Sequence, residues 1–392
     1  MPSLIDTPTR ILARVLEGGR LSIEDGVALM GCGRAEFPAL LHAASVVRDR
    51  GMGDARWVTY SRKVFIPLTN LCRDVCGYCT FARSEKDPLA HTMTPEQVLA
   101  VARAGQAAGC KEALFSLGER PEERYPSVRE ALRRLGYSST TEYLAAMCDL
   151  VFRETGLLPH SNCGILTRDE LEILRPHNAS MGLMLENVSE RLLERGQAHW
   201  ACPGKAPELR LQTIRDAADL GVAFTSGILI GIGETLEERV ASLAAIRALS
   251  EETGAVQEVI IQNFRAKMDT KMRAHGEPSA LDMARTIAVA RLMLGPEMSV
   301  QAPPNLTPDA YGFYLLAGIN DWGGISPVTR DHINPEAAWP EVREVSDITV
   351  EAGFALRERL ALYPRYLGTR FMRERFAGAI AAWTDESGLV RC

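Results

Sequence analysis

The chain has 392 residues, of which 46% are hydrophobic and 24% charged, an ordinary composition for a globular protein with a large core. Its formal net charge of −6 disfavours a nucleic-acid partner, because proteins that bind nucleic acids normally present a basic surface. The N-terminus lacks the apolar stretch of a signal peptide, and the longest apolar run, residues 222–232, is too short to span a bilayer. These features predict a cytoplasmic protein with neither a nucleic-acid nor a membrane partner.

Strand and helix patterns alternate along most of the chain, after about 60 residues of helical patterns that end at glycines. Short apolar or β-branched runs predict strands at Val64–Asn70, Glu112–Leu117, Leu158–Asn162, Ser180–Glu186, Ala223–Ile230, Gln257–Asn263, Met298–Ala302 and Gly318–Trp322. The helices that we predict after them span 94–108, 138–156, 167–175, 206–220, 234–250, 279–295 and 307–317.

This alternation indicates βαβ units and a parallel sheet. The number of units favours an α/β fold of the (βα) TIM type, a full or nearly full eight-stranded barrel, over an open doubly wound sheet, although the pattern alone does not decide closure. We predict an N-terminal helical extension over 1–60, the barrel over 61–345 and a C-terminal helical extension over 346–392.

Three of the nine cysteines, Cys72, Cys76 and Cys79, lie within eight residues just after the first predicted strand. A structural zinc site needs four ligands, and neither a second CxxC nor an HxxxH is present. A thioredoxin-like redox site would use only the Cys76–Cys79 pair and would leave Cys72 without a role. A ferredoxin site would need four cysteines close together in the sequence, and only three are present here. Three thiolates on a four-iron cluster leave one iron open for chemistry. The alternative is that the three cysteines are ordinary buried thiols that lie close together by chance. We predict that Cys163 and Cys202 are ordinary buried thiols without a ligand role.

The spacing C-x3-C-x2-C, with Tyr78 before the last cysteine, resembles the signature of the radical S-adenosylmethionine (SAM) superfamily. The resemblance implies one [4Fe–4S] cluster with three cysteine ligands, whose fourth iron binds SAM. It also implies that one electron cleaves SAM into methionine and a 5′-deoxyadenosyl radical that abstracts hydrogen from a substrate. Because this reaction needs a low reduction potential, a dedicated donor such as ferredoxin or flavodoxin is implied as well.

Further segments resemble the SAM-binding motifs of that superfamily. The turn SLGE resembles a Gly-Gly-Glu turn with Leu117 in place of its first glycine, and the segment GILIGIGE resembles GxIxGxxE. A solvated glutamate in a turn is the alternative for Glu119, and a solvated helix face is the alternative for Arg210. The residues that the resemblance assigns to SAM are Tyr78, Gly118, Glu119, Glu186, Arg210, Ile228 and Gly231.

Strings across about residues 60–345, among them TNLCRDVCGYCTFAR, HWACPGK and NDWGGISPVT, resemble the ring-closing subunit of the 7,8-didemethyl-8-hydroxy-5-deazariboflavin (FO) synthases. The resemblance implies a lyase that converts a hydroxybenzyl–ribitylaminouracil adduct into FO and ammonia during coenzyme F420 biosynthesis. A partner FO synthase subunit would make that adduct. The alternatives are the partner subunit itself, a menaquinone-branch radical SAM enzyme and, outside the enzymes, a non-catalytic iron–sulfur electron carrier or sensor.

Five residues near predicted strand ends are candidates for substrate contact, because ligands of such barrels bind where strands end. His160 and Asn162 end the third strand, Asn305 follows the seventh, and Asp321 and Trp322 were expected to follow the eighth. His160 is also a candidate proton acceptor. The alternatives are a structural histidine, a plain turn at Asn305 and core packing of Trp322.

Overall fold

The computed structural model describes residues 6–391, in which eight parallel strands close into a barrel. The strand order is β2-β3-β4-β5-β6-β7-β8-β1, and pairing of β1 with β2 closes the ring, so the predicted α/β barrel is confirmed. The strands span β1 Trp57–Thr69, β2 Glu112–Leu117, β3 Leu158–Asn162, β4 Ser180–Gly182, β5 Phe224–Ile230, β6 Val256–Asn263, β7 Ser299–Gln301, β8 Asp321–Ile325 and β9 Ala355–Glu358.

Within residues 6–391, three helices precede the first barrel strand in the chain, and the other helices lie between or after the strands. They span α1 Pro8–Leu16, α2 Ile23–Met30, α3 Phe37–Met52, α4 Pro95–Ala107, α5 Pro121–Arg124, α6 Pro126–Leu135, α7 Thr140–Thr155, α8 Arg168–Leu174, α9 Pro207–Asp219, α10 Leu236–Thr253, α11 Ala280–Leu294, α12 Val342–Glu351 and α13 Glu374–Trp383. Short 3-10 helices lie at Arg175–His177, Glu190–Leu193, Pro203–Lys205, Pro304–Leu306, Tyr311–Leu315 and Pro364–Tyr366.

Local sequence explains where several helices begin. Four of the described helices begin with a capping box, in which the side chain of a serine or threonine at the N-cap accepts a hydrogen bond from the backbone N–H three residues later. The side chain of that later residue accepts a hydrogen bond from the backbone N–H of the N-cap. The N-cap residues are Ser22, Thr94, Thr167 and Thr235. Three of these helices, α4, α8 and α10, follow barrel strands. The caps place α8 and α10 within a few residues of the ends of β3 and β5, whereas the long loop that carries the three clustered cysteines joins β1 to α4.

The ninth strand extends the sheet below the barrel. β9 pairs in parallel with the start of β1, from Trp57 against Ala355 to Tyr60 against Glu358, whereas β2 pairs with the later part of the same strand. The predicted domain boundary after residue 60 therefore falls inside β1. The predicted boundary after residue 345 likewise falls inside α12.

The C-terminal region closes the bottom of the barrel, which the prediction of a helical extension missed. Arg359 is buried there and forms ion pairs with Glu258 and Asp321, at 2.9 and 2.6 Å. The carbonyl of Ala361 accepts hydrogen bonds from Ser180, at 2.7 Å, and from Gln257. Because these partners lie on β4, β6 and β8, the segment is anchored to three parts of the barrel. Among residues 6–391, no helix combines the length and apolar character needed to cross a bilayer.

Candidate active site

The three clustered cysteines follow β1 and line one cavity of about 230 Å³ at the mouth of the barrel. No three His, Cys, Asp or Glu side chains within residues 6–391 are grouped closely enough to hold a single metal ion. Thiols that line a cavity without converging on one point suit a larger group, such as an iron–sulfur cluster. Burial raises the pKa of the Cys72 thiol, so a nearby positive charge, such as that of a metal, would favour the thiolate at this position.

Gly118 brings the turn after β2 against the cysteine loop. A Cβ at this position would overlap the carbonyl group of Leu71, so a side chain cannot be accommodated without moving the loop. The next residue, Glu119, donates its backbone N–H to Cys72 Sγ at 3.2 Å. The turn therefore positions one of the three thiols directly, and Gly118 and Glu119 both line the cavity.

The carboxylate of Glu119 is buried among charged groups. Arg73 donates to it at 2.9 Å, and an Arg210 nitrogen lies 3.9 Å away. Burial, together with the nearby Asp74, raises the pKa of Glu119 despite those cations. The carboxylate thus lies at the cavity wall in an environment where an additional positive group, such as the amino group of a ligand, would be stabilised.

Glu186 joins three segments of the site. It adopts a left-handed backbone conformation, with φ of 66°, and accepts a 2.8 Å hydrogen bond from the Tyr78 hydroxyl. Its other oxygen pairs with Lys205, and His199 contacts the same Tyr78 hydroxyl at 3.1 Å. Burial opposes ionisation of Glu186, but Lys205 and Arg210 outweigh it and lower the pKa to about 2. Tyr78 and Glu186 both line the cavity.

Arg210 lies in the first turn of α9 and is buried against backbone carbonyls. Its Nε donates to the Gly204 carbonyl at 2.8 Å, and Nη1 donates to Met184. The guanidinium lines the cavity, which matches its predicted place near a bound ligand.

Residues 198–205 hold the cysteine loop in place, a role that no local pattern in the sequence indicates. Gly77 donates its N–H to the Ala198 carbonyl at 2.8 Å, and the Gly204 N–H lies 3.3 Å from Asp74. Lys205 ends the segment as a cation that lines the cavity, with a side chain only 12% exposed. A lysine after a Pro-Gly turn ordinarily suggests a solvated position, so its burial could not be inferred from the sequence.

Ile228 and Gly231, which are predicted to contact SAM, are not among the residues that line the cavity. Successive strand residues point to opposite faces, and on β5 it is Leu229 that reaches the cavity, while Ile228 packs in the surrounding core. The Gly231 N–H donates to Glu234 at 2.8 Å instead of facing a ligand. The glycine-rich segment therefore shapes the loop after β5, and Leu229 provides its apolar contact.

A second cavity, of about 170 Å³, occupies the barrel lumen; we call it the lumen cavity and the first one the cysteine cavity. His160 and Asn162, the candidates for substrate contact on β3, both line the lumen cavity. The two cavities adjoin, because seven residues line both: Ser116, Asn162, Leu183, Met184, Gln262, Ile333 and Asn334. A ligand in one cavity can therefore contact a ligand in the other.

Three other candidates for substrate contact line neither cavity. β8 begins at Asp321, so Asp321 and Trp322 belong to the strand itself and do not follow it as predicted. Asp321 pairs with Arg359 at the barrel floor, and Trp322 is fully buried with its Nε1 donating to Thr349 on α12. Asn305 donates to Asp331 at 3.1 Å and so holds the loop that follows β8. These residues support the site from outside it.

Sequence comparison identifies relatives over most of the chain. Residues 66–246 match the model of the Radical SAM superfamily. A 7,8-didemethyl-8-hydroxy-5-deazariboflavin synthase from Methanopyrus kandleri is 50% identical over 334 residues, which cover 85% of this chain and 100% of the relative. The FO synthases of Nocardia farcinica and Mycobacterium leprae are 46% and 45% identical over 97% of this chain, but it covers 46% of each relative. The chain thus spans about half the length of these FO synthases.

Solved structures with the same fold are more distant in sequence. The FeFe-hydrogenase maturase HydG from Carboxydothermus hydrogenoformans has a TM-score of 0.73 at 18% identity, covering 93% of this chain and 81% of that one. Methylornithine synthase (PylB) has a TM-score of 0.69 at 21% identity, covering 88% and 97%. These two structures support the barrel fold alone. Membership in the superfamily implies a [4Fe–4S] cluster and SAM, and the Methanopyrus relative shows that the chain belongs to the FO synthase family of radical SAM enzymes.

Proposed function

We propose that this chain is the ring-closing lyase of FO synthesis. It would convert 5-amino-5-(4-hydroxybenzyl)-6-(D-ribitylimino)-5,6-dihydrouracil into FO, with release of ammonia, 5′-deoxyadenosine and methionine. The observation that carries this proposal is the pair of adjoining cavities, one lined by the cysteine triad and the other by polar side chains of the lumen. A reaction that uses SAM to abstract hydrogen from a second, polar molecule needs this arrangement.

The cysteine cavity would hold the cofactors. Cys72, Cys76 and Cys79 would ligate one [4Fe–4S] cluster and leave its fourth iron for SAM, which supplies a hydrogen-abstracting 5′-deoxyadenosyl radical. The three thiols fit this role because they line a single cavity and share it with both acidic and basic side chains. Glu119 would accept the SAM amino group, and Arg210 would face its carboxylate, since each carries the charge opposite to that of the ligand group.

The residues between the two cavities would orient the reacting part of the substrate. Asn162 and Gln262 line both cavities, and each amide supplies donors and an acceptor. A substrate ring bound there would lie next to SAM, and the surrounding barrel would exclude water from a reactive radical. Positioning of this kind is the main contribution that a protein makes to cofactor chemistry.

The proposal includes two protein partners and a cellular location. A partner FO synthase subunit would make the adduct, and a low-potential ferredoxin or flavodoxin would reduce the cluster in the cytoplasm. The FO synthases from Nocardia and Mycobacterium match this chain over 46% of their length, which leaves room in them for a second activity. That difference in length supports a division of the pathway between two units.

The test is anaerobic incubation of the reconstituted protein with SAM, dithionite and the adduct. We expect deazaflavin fluorescence together with equimolar ammonia and 5′-deoxyadenosine. A protein that instead joins tyrosine to ribitylaminouracil would be the partner subunit, and one that neither binds nor cleaves SAM would be an electron carrier. Either result would overturn the proposal.

A pair of cysteine variants tests the cluster ligands separately. Cys76→Ala should lose iron and turnover, whereas Cys163→Ala should keep both, because Cys163 is buried outside the cysteine cavity. Retention of the full iron content by Cys76→Ala would contradict the ligand assignment.

A further inference from the structure

Several polar side chains that line the lumen cavity have no role in the proposed mechanism, and two of them are His160 and Gln301. His160 on β3 and Gln301 on β7 line the lumen cavity but not the cysteine cavity. Both are about 5% exposed, and the Gln301 amide makes no side-chain hydrogen bond with any residue from 6 to 391. Gly323 makes room for this amide, since a Cβ there would overlap its nitrogen. The Gln301 amide therefore has two donors and an acceptor at the cavity wall, where a polar ligand could bind them.

Hydrogen bonds below the floor determine the tautomer of His160. The Ser180 hydroxyl donates its proton to the Ala361 carbonyl at 2.7 Å, so its oxygen must accept from His160 Nδ1, which lies 2.8 Å away. The Nδ1 atom therefore carries the hydrogen, and Nε2 presents a bare lone pair. A Cβ at Gly182 would lie 2.8 Å from Nε2, so this glycine is what keeps the lone pair uncovered.

Burial of the imidazole keeps it neutral. Burial lowers its pKa to about 4, with Lys63 on β1 and Arg359 below the floor acting in the same direction. Glu112 on β2 opposes them, but its carboxylate is engaged by Lys63 at 2.8 Å. Glu258 on β6 also lines the cavity and is paired with Arg359. His160 is thus a hydrogen-bond acceptor at neutral pH, and protonation to the cation is disfavoured.

We propose that His160 and Gln301 form the subsite for the polyhydroxyl side chain of the substrate. This inference rests on the proposed function, in which the substrate carries a ribityl chain. The reacting rings must lie near SAM, where Asn162 and Gln262 line both cavities. The ribityl chain does not react, so it extends away from SAM to the floor. There one ribityl hydroxyl donates a hydrogen bond to His160 Nε2, and the Gln301 amide forms hydrogen bonds with the adjacent ribityl hydroxyls.

The experiment compares two ligands whose rings are identical. One is FO, and the other is the same deazaflavin with a methyl group in place of the ribityl chain. Dissociation constants are measured by deazaflavin fluorescence for His160→Phe, Gly182→Ala and Gln301→Leu, with His177→Phe as a matched control far from the cavities. We expect each variant in the cavity to bind FO about 10-fold more weakly, because the loss of one buried hydrogen bond costs about 1.4 kcal/mol. The affinity for the methyl analogue should not change.

The outcomes separate this inference from the proposed function. Equal weakening for both ligands, or no weakening for either, in variants that retain the wild-type thermal unfolding midpoint would overturn the polyol subsite. If His160→Phe does not fold, Gln301→Leu decides the question by the same comparison. A wild-type protein that neither forms nor binds FO would overturn the proposed function, and this inference with it. Turnover by the wild type, with unchanged FO affinity in the variants, would overturn the subsite alone.

Discussion

The Tyr78 hydroxyl donates a 2.8 Å hydrogen bond to Glu186, and this contact joins the cysteine loop to the segment after β4. Because Glu186 also pairs with Lys205, one buried carboxylate connects three segments that are distant in sequence. Each segment contributes side chains to the cysteine cavity. The geometry of the site therefore depends on the charge balance at Glu186.

Removal of the Lys205 charge should destabilise the protein strongly. Lys205→Met leaves Glu186 buried without its cation, and breaking a buried pair in this way costs about 3–5 kcal/mol of unfolding free energy. Adding Glu186→Gln should recover most of that loss, because the uncompensated charge is then absent. As a control, Arg215→Met removes a partly exposed pair with Glu252 and should cost no more than about 1 kcal/mol. Chemical denaturation measures all four proteins; equal stabilities of Lys205→Met and Arg215→Met would contradict the prediction.

Acid should weaken the folded state through the same carboxylate. The pKa of Glu186 is lowered from its ordinary 4.5 to about 2, so the folded state binds fewer protons than the unfolded state between these values. The resulting stability is fully present above pH 4.5 and is lost as the pH falls through the folded pKa. Glu112 has a similarly lowered pKa, of about 2, and adds to the effect. Unfolding free energies of wild type and Glu186→Gln, measured from pH 6 to 2, should converge towards low pH.

The close approach at Gly118 predicts a defect in cluster assembly. In Gly118→Ala the new methyl group overlaps the Leu71 carbonyl, and the displaced loop no longer presents Cys72 to the Glu119 N–H. We expect a clear loss of iron after anaerobic reconstitution while the barrel remains folded. Gly276→Ala is the matched control, since nothing lies within 4 Å of its Cβ position. Equal iron contents in the two variants would show that the loop tolerates the displacement.

The sequence predicted the barrel because its strands are buried on both faces and are separated by well-capped helices. The bounds of β2 and β3 agree with the predicted runs, and β5 differs by one residue. β9 was missed because Ala355–Glu358 is short and charged, features that do not indicate a strand. Its place depends on pairing with β1, which is an interaction between distant parts of the chain.

Within the site, the motifs predicted which segments lie at the cysteine cavity better than they predicted which side chains of those segments line it. The cysteine triad, Tyr78 and Glu186 line the cysteine cavity because each lies in or next to a motif that follows a strand. The motif on β5 placed the correct strand at the cavity but the wrong face, since a shift of one residue reverses the direction of a side chain. No sequence motif around Lys205 or Gln301 indicates that either side chain lines a cavity. Their roles follow from packing across the barrel.

The buried ion cluster at the barrel floor provides a final prediction. Arg359 is the cation that Glu258 and Asp321 share, and all three side chains are at most 6% exposed. Arg359→Met leaves two carboxylates buried beside each other, so we expect a loss of about 3–5 kcal/mol in unfolding free energy and partial recovery when Asp321→Asn is added. Arg103→Met removes an exposed pair with Glu154 and should cost no more than about 1 kcal/mol. If Arg359→Met were as stable as Arg103→Met, the C-terminal segment would close the barrel through its apolar contacts alone. A destabilised Arg359→Met that also binds FO less tightly would instead link closure of the floor to the shape of the lumen cavity above it.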